Sequence, residues 1–522
     1  MDIDQLNSVE NKGAKMRLEI LRLGGALLFL IAIGLFISTS MGNIPNHTFL
    51  LVSAIIGGYM ALNIGANDVA NNVGPAVGSK AISLLGAILI AMVFESAGAL
   101  LAGGEVVSTI KKGIIDPSLI NDSDTFIWLM LAALLAAAIW LNIATFFNAP
   151  VSTTHSIVGG VLGAGIAAGG FGIANWAVFG KIAASWVISP VLGGIISALF
   201  LYVIKRTITY QSDMLAAAKR IVPLLIALMI WAFSTYLILK GLKKIWKVDF
   251  MVAGSIAFAI ALTLYFAIRP LINKAATALD NSKASVNTLF TIPLIFAAAF
   301  LSFAHGANDV ANAVGPLAAI NDAINSGGIA KKAAIPIWVM LIGALGLSIG
   351  LALYGAKLIR TVGSEITELD KMRAFCVSMA AAITVIIASQ LGLPVSSTHI
   401  AVGAIFGVGF LREYLKRTDA KRLDEIRKHH EHLDPEATEA FLDSFKKADI
   451  AHKSKMLAEL KTQKQGSEFT KKERKKLKKV YKDQLVKRSH VYKIAAAWVI
   501  TVPTSAIMAA LLYFTIRGML IP

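Results

Sequence analysis

Gly65-Ala-Asn-Asp-Val-Ala-Asn-Asn-Val-Gly-Pro75 recurs, with one change, as Gly306-Ala-Asn-Asp-Val-Ala-Asn-Ala-Val-Gly-Pro316. The two copies lie 241 residues apart. Outward from them the match continues. Pro150-Val-Ser-Thr-Thr-His155 returns as Pro394-Val-Ser-Ser-Thr-His399 at an offset of 244. Lys181-Ile-Ala-Ala-Ser-Trp-Val-Ile188 returns as Lys493-Ile-Ala-Ala-Ala-Trp-Val-Ile500 at an offset of 312. Three matches in one order mark an internal duplication. The growth in offset places an insertion of 68 residues between His399 and Lys493.

The duplicated units are apolar. The chain has 522 residues, 56% of them hydrophobic and only 16% charged, against roughly 25% charged in a soluble domain. Runs such as Leu23 to Ser38, Ala81 to Phe94, Ile127 to Asn142 and Ile182 to Ile204 approach the ~20 residues that cross a hydrocarbon core. Lipid offers backbone groups no partner, and these runs lack the alternation of a barrel strand, so they read as helices. The expected fold is an all-α polytopic membrane protein with about twelve segments of ~20 residues each. Ile221 to Leu239 and Val252 to Ile268 add two spans without a duplicated partner. The run after Lys12, Lys15, Arg17 and Arg22 lacks a convincing cleavage site and reads as an uncleaved first span. Cys376 is the single cysteine, which rules out an intramolecular disulfide.

The expected division is an N-terminal cytoplasmic segment 1–21, a first repeat with its preceding span 22–206, and connecting spans 207–286. The first part of the second repeat follows at 287–411, then a charged cytoplasmic insertion 412–490 and a last span 491–522. The net charge of +18 concentrates in that insertion. Basic residues of a membrane protein collect in cytoplasmic loops, so a nucleic-acid partner is not expected. Helical patterns run over Leu423 to His432 and Pro435 to Leu460, before a basic run Lys471 to Lys479 that would also attract anionic lipid.

The duplicated motifs carry the chemistry. Asn67, Asp68, Asn71 and Asn72, with Asn308, Asp309 and Asn312, interrupt apolar segments. Asp68 and Asn72 share a helical face at four-residue spacing. Carboxylate and amide oxygens suit hard cations such as Na⁺ or Mg²⁺. A helix cap or interhelical hydrogen bond is the plain alternative, but an intramembrane Asp in each copy is too costly to be incidental. The second motif places Ser152, Thr153 and Thr154, and Ser396, Ser397 and Thr398, directly after proline. Such a segment suits the tip of a re-entrant hairpin, where a helix N-terminus and hydroxyl donors face an oxyanion. The competing reading is an ordinary Ser/Thr cap. His155 and His399 close the motif and read as hydrogen-bonding groups rather than zinc ligands, since no cysteine or carboxylate stands at metal-site spacing. Glu95 is a lone acid in an apolar run and reads as a cation-coupling group. Its repeat counterpart falls within Trp338 to Leu347, which holds no acid. Gln390, before the second hairpin, is a weaker candidate. No Gly-x-x-x-x-Gly-Lys-Ser/Thr loop is visible, so an ion gradient rather than ATP is the expected energy source.

These residues resemble the inorganic phosphate transporter (PiT) family. Its signature is similar to the duplicated Gly-Ala-Asn-Asp-Val-Ala-Asn, and the Pro-Val-Ser-Thr-Thr-His hairpins and the Phe-Glu-Ser-Ala-Gly around Glu95 match as well. The resemblance implies two inverted repeats whose re-entrant hairpins meet near the midplane of a plasma (inner) membrane. It also implies inorganic phosphate as substrate with Na⁺ or H⁺ as the coupling ion, no other cofactor, and no enzymatic activity. Asp68, Asp309 and nearby asparagines Asn67 and Asn308 would hold cation and phosphate, with Na⁺ at Asp68 and Asp309 and the hairpin hydroxyls on phosphate. Room is left for a homo-oligomer. Two features depart from animal members of the family. The place of their second membrane glutamate is taken by Ser378, and their large hydrophilic loop lies between the repeats. A sulfate permease is the alternative substrate reading; a carboxylate near the anion favours phosphate, which can donate a hydrogen bond. A phosphotransferase would need an Arg or metal clamp that the motifs lack. A sensor would need the insertion as its output.

Overall fold

The computed structural model describes residues 3–42, 44–120, 122–146, 151–241, 246–326, 335–365, 369–429 and 488–520. Among them run sixteen α-helices: α1 Ile3–Ser40, α2 His47–Asn67, α3 Ala70–Gly78, α4 Leu84–Ala102, α5 Gly104–Lys112, α6 Ser123–Phe146, α7 Thr153–Gly169, α8 Trp176–Ile204, α9 Met214–Tyr236, α10 Phe250–Ala276, α11 Lys283–Leu289, α12 Thr291–Ser326, α13 Ile337–Glu365, α14 Lys371–Gln390, α15 Ser397–His429 and α16 Arg488–Leu520. Eleven candidate spans among the described residues are long and apolar enough to cross a membrane, which makes this an integral, multi-pass membrane protein. The sequence leads to about twelve. The difference lies at segments such as α7, which has only 17 residues and starts in the protein interior. The patterns at Pro435 to Leu460 and Lys471 to Lys479 lie outside the described residues, while α15 runs through Leu423 to His429.

Helix starts differ by depth. Asp213, Asp249 and Asp370 cap α9, α10 and α14 outside the spans, each accepting a backbone N–H three residues on, at 2.9 Å. Inside the protein the caps are neutral: Ser152 Oγ accepts from His155 N at 3.2 Å and Ser396 Oγ from His399 N at 3.3 Å. A buried helix end still needs its N–H groups satisfied, but an unpaired carboxylate there would be costly.

The two hairpins enter from opposite ends of the long helix α12. The start of α14 lies at the α12 N-terminus, where Lys371 Nζ donates to Thr291 Oγ1 at 2.8 Å and Met372 N to Asn287 Oδ1 at 3.1 Å. The α6–α7 hairpin opens at the other end. There Phe126 of α6 and Ala319 of α12 line one cleft, and an antiparallel bridge joins Ile115 to Ala174 beyond α7. The tips meet between, where Thr154 Oγ1 donates to Val395 O at 3.0 Å.

The halves are interlaced rather than side by side. α2 packs on α13, α4 on α12, α7 on α16 and α8 on α15. Glycine permits the closest crossings. A Cβ on Gly65 would lie 2.0 Å from Leu347 O and one on Gly306 2.2 Å from Glu95 O. A Cβ on Gly163 would lie 2.2 Å from Ala506 O and one on Gly407 2.0 Å from Gly194 O. These contacts obey the sequence offsets, and the first pair makes Leu347 the counterpart of Glu95. Some counterparts touch each other: Ser96 Oγ lies 2.8 Å from Ser348 Oγ, and the His155 and His399 ring centroids are 5.2 Å apart. Residues that meet their own counterparts mark an approximate two-fold axis through the molecule.

Candidate functional site

The duplicated Asn-Asp motif lies at the middle of the long spans. In the first copy it is a break: α2 ends at Asn67, Asp68 N donates to Ile64 O at 2.9 Å, and α3 restarts at Ala70. The single helical face expected for Asp68 and Asn72 is therefore interrupted between them. In the second copy α12 runs on through the motif. Asp68, Asn72, Asn308, Asp309 and Asn312 are buried, each 4% exposed or less.

Hydroxyls from the hairpin helices hold both carboxylates. Thr153 Oγ1 donates to Asp68 Oδ2 at 2.7 Å, and Ser397 Oγ to Asp309 Oδ2 at 3.0 Å. Those pairs lie within a repeat. Others cross: Asn71 Nδ2 donates to Thr398 Oγ1 at 2.8 Å, and Thr398 Oγ1 to Asp68 Oδ1 at 3.3 Å. Asn312 Nδ2 answers from the other side, 3.2 Å from Thr153 Oγ1 and 3.1 Å from Thr154 Oγ1. The N-termini of α7 and α15 thus converge on two acids, with their positive dipole ends inward.

Asp68, His305 and Asp309 present ligand atoms within 4.8 Å of one another. Asp309 Oδ1, Asn312 Oδ1 and Asn72 Oδ1 are buried acceptors with no hydrogen-bond partner among the described residues. Orphaned carbonyl and carboxylate oxygens are costly unless something supplies positive charge. A hard cation fits this donor set.

His305 is the residue that the sequence reading misses. Its Nδ1 lies 2.7 Å from Glu95 Oε2 and its Nε2 2.9 Å from Asp309 Oδ2, with no exposed side-chain surface on His305 or Glu95. Glu95 Oε1 accepts from Asn72 Nδ2 at 2.8 Å. Both Glu95 oxygens therefore have partners, Asn72 and His305, and Glu95 meets the Asp68–Asp309 cluster through His305. The position equivalent to His305 is Ile64, so a comparison starting at Gly65 hides it. The remaining signal was an ionisable residue at the edge of an apolar run.

The structure separates other candidates by role. Ser152 and Ser396 cap helices, as described above. Asn308 clamps the second hairpin: Nδ2 donates to Ser389 Oγ at 2.9 Å and Leu393 O at 3.1 Å, while Oδ1 accepts from Val395 N at 3.2 Å. Asn67 Nδ2 donates to Asn63 O at 3.1 Å. Asn308 thus ties α12 to the turn of the second hairpin. His155 stacks on Trp186 at 3.8 Å between centroids. Trp186 Nε1 in turn donates to Pro394 O at 3.0 Å, tying α8 to the second tip. Ser378 is fully buried in α14, and Gln390 ends that helix.

The model of the phosphate transporter family matches residues 64–509. This chain belongs to that family. A “Putative phosphate permease” of Helicobacter pylori strain J99 is 52% identical to the transporter over 524 residues, covering 98% of each chain. A protein of the same printed name from Pyrococcus horikoshii is 40% identical over 370 residues, which is 71% of the transporter but 90% of the relative. A solved structure titled “The sodium-dependent phosphate transporter” matches with a TM-score of 0.74 and 32% identity, covering 91% of the transporter and all of the other chain. The family is one of transporters, not enzymes. Both copies of the Asn-Asp motif and both hairpins lie inside the matched span of the transporter.

Proposed function

We propose that this chain carries inorganic phosphate across the plasma (inner) membrane together with a cation, from a site enclosed between two inverted repeats. The arrangement that carries this reading is the convergence of two helix N-termini on a pair of buried aspartates with orphaned oxygens. Phosphate sits against the first turns of α7 and α15, where backbone N–H groups and the hydroxyls of Thr153, Thr154, Ser397 and Thr398 can turn toward it. The cation lies at Asp68 and Asp309, with amide oxygens of Asn72 and Asn312 completing its shell. Anion and cation each screen the other's burial, so neither enters cheaply alone. Na⁺ is favoured by the printed title of the solved relative.

Protein in liposomes should take up labelled phosphate when a Na⁺ gradient is imposed, and unlabelled phosphate should compete better than sulfate. Sulfate competing equally or more strongly would overturn the substrate, and uptake driven only by a proton gradient would overturn the ion.

The division of the chain into core and insertion follows from the offsets, and the shorter archaeal relative supports it. Replacing Glu413 to Ser489 with flexible linkers of several lengths should leave phosphate uptake within about twofold, since surface insertions cost little loop entropy. If no linker length supports uptake in correctly inserted protein, the segment belongs to the mechanism.

A further inference from the structure

Lys111 of α5 and Asp322 of α12 form an ion pair whose side chains are only 6% and 7% exposed. Asp322 stands 13 residues beyond Asp309 on the same helix, about 20 Å along its axis at ~1.5 Å per residue. The pair therefore lies at the C-terminal end of α12, well away from the aspartate site. It closes a small cleft shared with Lys112, Phe126 and Ala319, at the mouth of the α6–α7 hairpin. Two residues before Lys111 on α5, Thr109 Oγ1 donates to Gly392 O at 2.7 Å, in the turn of the opposite hairpin. Glu105, at the start of α5, meets Lys240 at 3.0 Å. α5 thus ties the turn of the opposite hairpin to the C-terminal half of α12, and so one repeat to the other.

Among the described residues the equivalent positions at the other end carry no such buried pair. By the 241-residue offset the counterpart of Asp322 is Ala81, and by the 252-residue offset that relates Glu95 to Leu347 the counterpart of Lys111 is Gly363. Two interlaced halves with matching glycine crossings can exchange arrangements about their axis. A charge pair at one end alone makes the two arrangements unequal in free energy.

We propose that Lys111 and Asp322 are a one-sided gate: joined, they close the end of the transporter opposite the insertion and bias it toward this arrangement, and they part when that end opens. This rests on the transport reading above. With the insertion cytoplasmic, the gated end faces outward, toward incoming phosphate. A buried pair suits a gate because its charges attract strongly while closed and are re-solvated when water enters, so the bias it sets stays small enough to be overcome.

Single-cysteine reporters test it on purified full-length protein in detergent, in a Cys376→Ser background. Ala319→Cys reports the gated end, where Ala319 is 1% exposed. Ala81→Cys reports the far end, where Ala81 is half-buried. The reagent is a charged maleimide, with neither phosphate nor Na⁺ gradient present, so the result stands or falls independently of the substrate assignment. In Lys111→Met/Asp322→Asn, which removes both charges of the pair, labelling at 319 should rise at least about fivefold and labelling at 81 should fall. The charge swap Lys111→Asp/Asp322→Lys should restore both rates toward those of the parent. Unchanged rates, or a rise at both positions, would overturn the gate: the first means that the pair does not bias the equilibrium, the second that its loss only loosens packing. Should the neutral pair fail to fold, the swap decides alone, since parent-like labelling at both sites supports a charge-dependent lock and a rise at both sinks it.

Discussion

Asp68→Asn and Asp309→Asn should each lower phosphate uptake more than about a hundredfold while the protein still inserts and folds. Asparagine keeps the size of the side chain, and its carbonyl oxygen still accepts from Thr153 at Asp68 or Ser397 at Asp309. What is lost is the charge. Interactions with a charged group are worth ~1.5–3 kcal/mol each, and every ~1.4 kcal/mol is tenfold in binding, so a cation that touches both acids through several contacts is lost. Asp309 should be the more sensitive of the two in Na⁺ affinity, because its Oδ1 is an orphaned acceptor while both oxygens of Asp68 already have hydroxyl donors. Radiolabelled phosphate uptake, Na⁺ binding by scintillation and thermal stability separate transport from folding. Near-normal uptake by both variants would return these acids to a structural role.

The second large effect concerns Glu95 and His305. Their counterparts, Leu347 and Ile64, are both fully buried in one apolar cluster, so the fold tolerates either a charged or an apolar pair at this kind of crossing. His305→Ile alone strands Glu95 in a dry interior, a loss of ~3–5 kcal/mol, whereas Glu95→Leu costs less because His305 keeps Asp309. Together they rebuild the contact used by the other half, and most of that stability should return. Uptake should stay lost in the double variant, since Asp309 Oδ2 then keeps Ser397 but loses its His305 neighbour. Thermal unfolding of the two single variants and the double variant, with uptake on the folded ones, checks this. A double variant no more stable than the singles would refute the equivalence of the two crossings, and one that transports normally would remove His305 from the site.

The same comparison shows how far the sequence could be read. The Asn-Asp and Ser/Thr motifs were visible because they occur twice, and duplication distinguishes a polar residue kept in an apolar segment from an incidental one. His305 occurs once, with Ile64 at the equivalent position, so duplication gives it no signal. Glu95 was found as an intramembrane acid, but its partner 210 residues away had no signature in spacing. The first copy's break at Asp68 and the continuous second copy differ by one residue within the motif, so local propensity alone gives no ground to expect one helix broken and the other unbroken. Asn308 and Ser396 have residue types that would suit a ligand, and only their partners show them holding backbone instead.

By itself, then, the sequence determined the helical membrane fold and the duplication, and it singled out the 68-residue insertion and the polar residues proposed for the site. These follow from composition, from the length of apolar runs and from repetition, all properties of the chain read in order. Only the tertiary structure decided which repeat supplies which contact. The halves interlace through glycine crossings, so Asn71 meets Thr398 and Asn312 meets Thr154 across them. It also decided which buried oxygens have hydrogen-bond partners and which have none among the described residues. Partner choice in a packed interior depends on distances between residues hundreds of positions apart. An uncompensated buried oxygen is a property of the packing around it, and no residue carries that information alone.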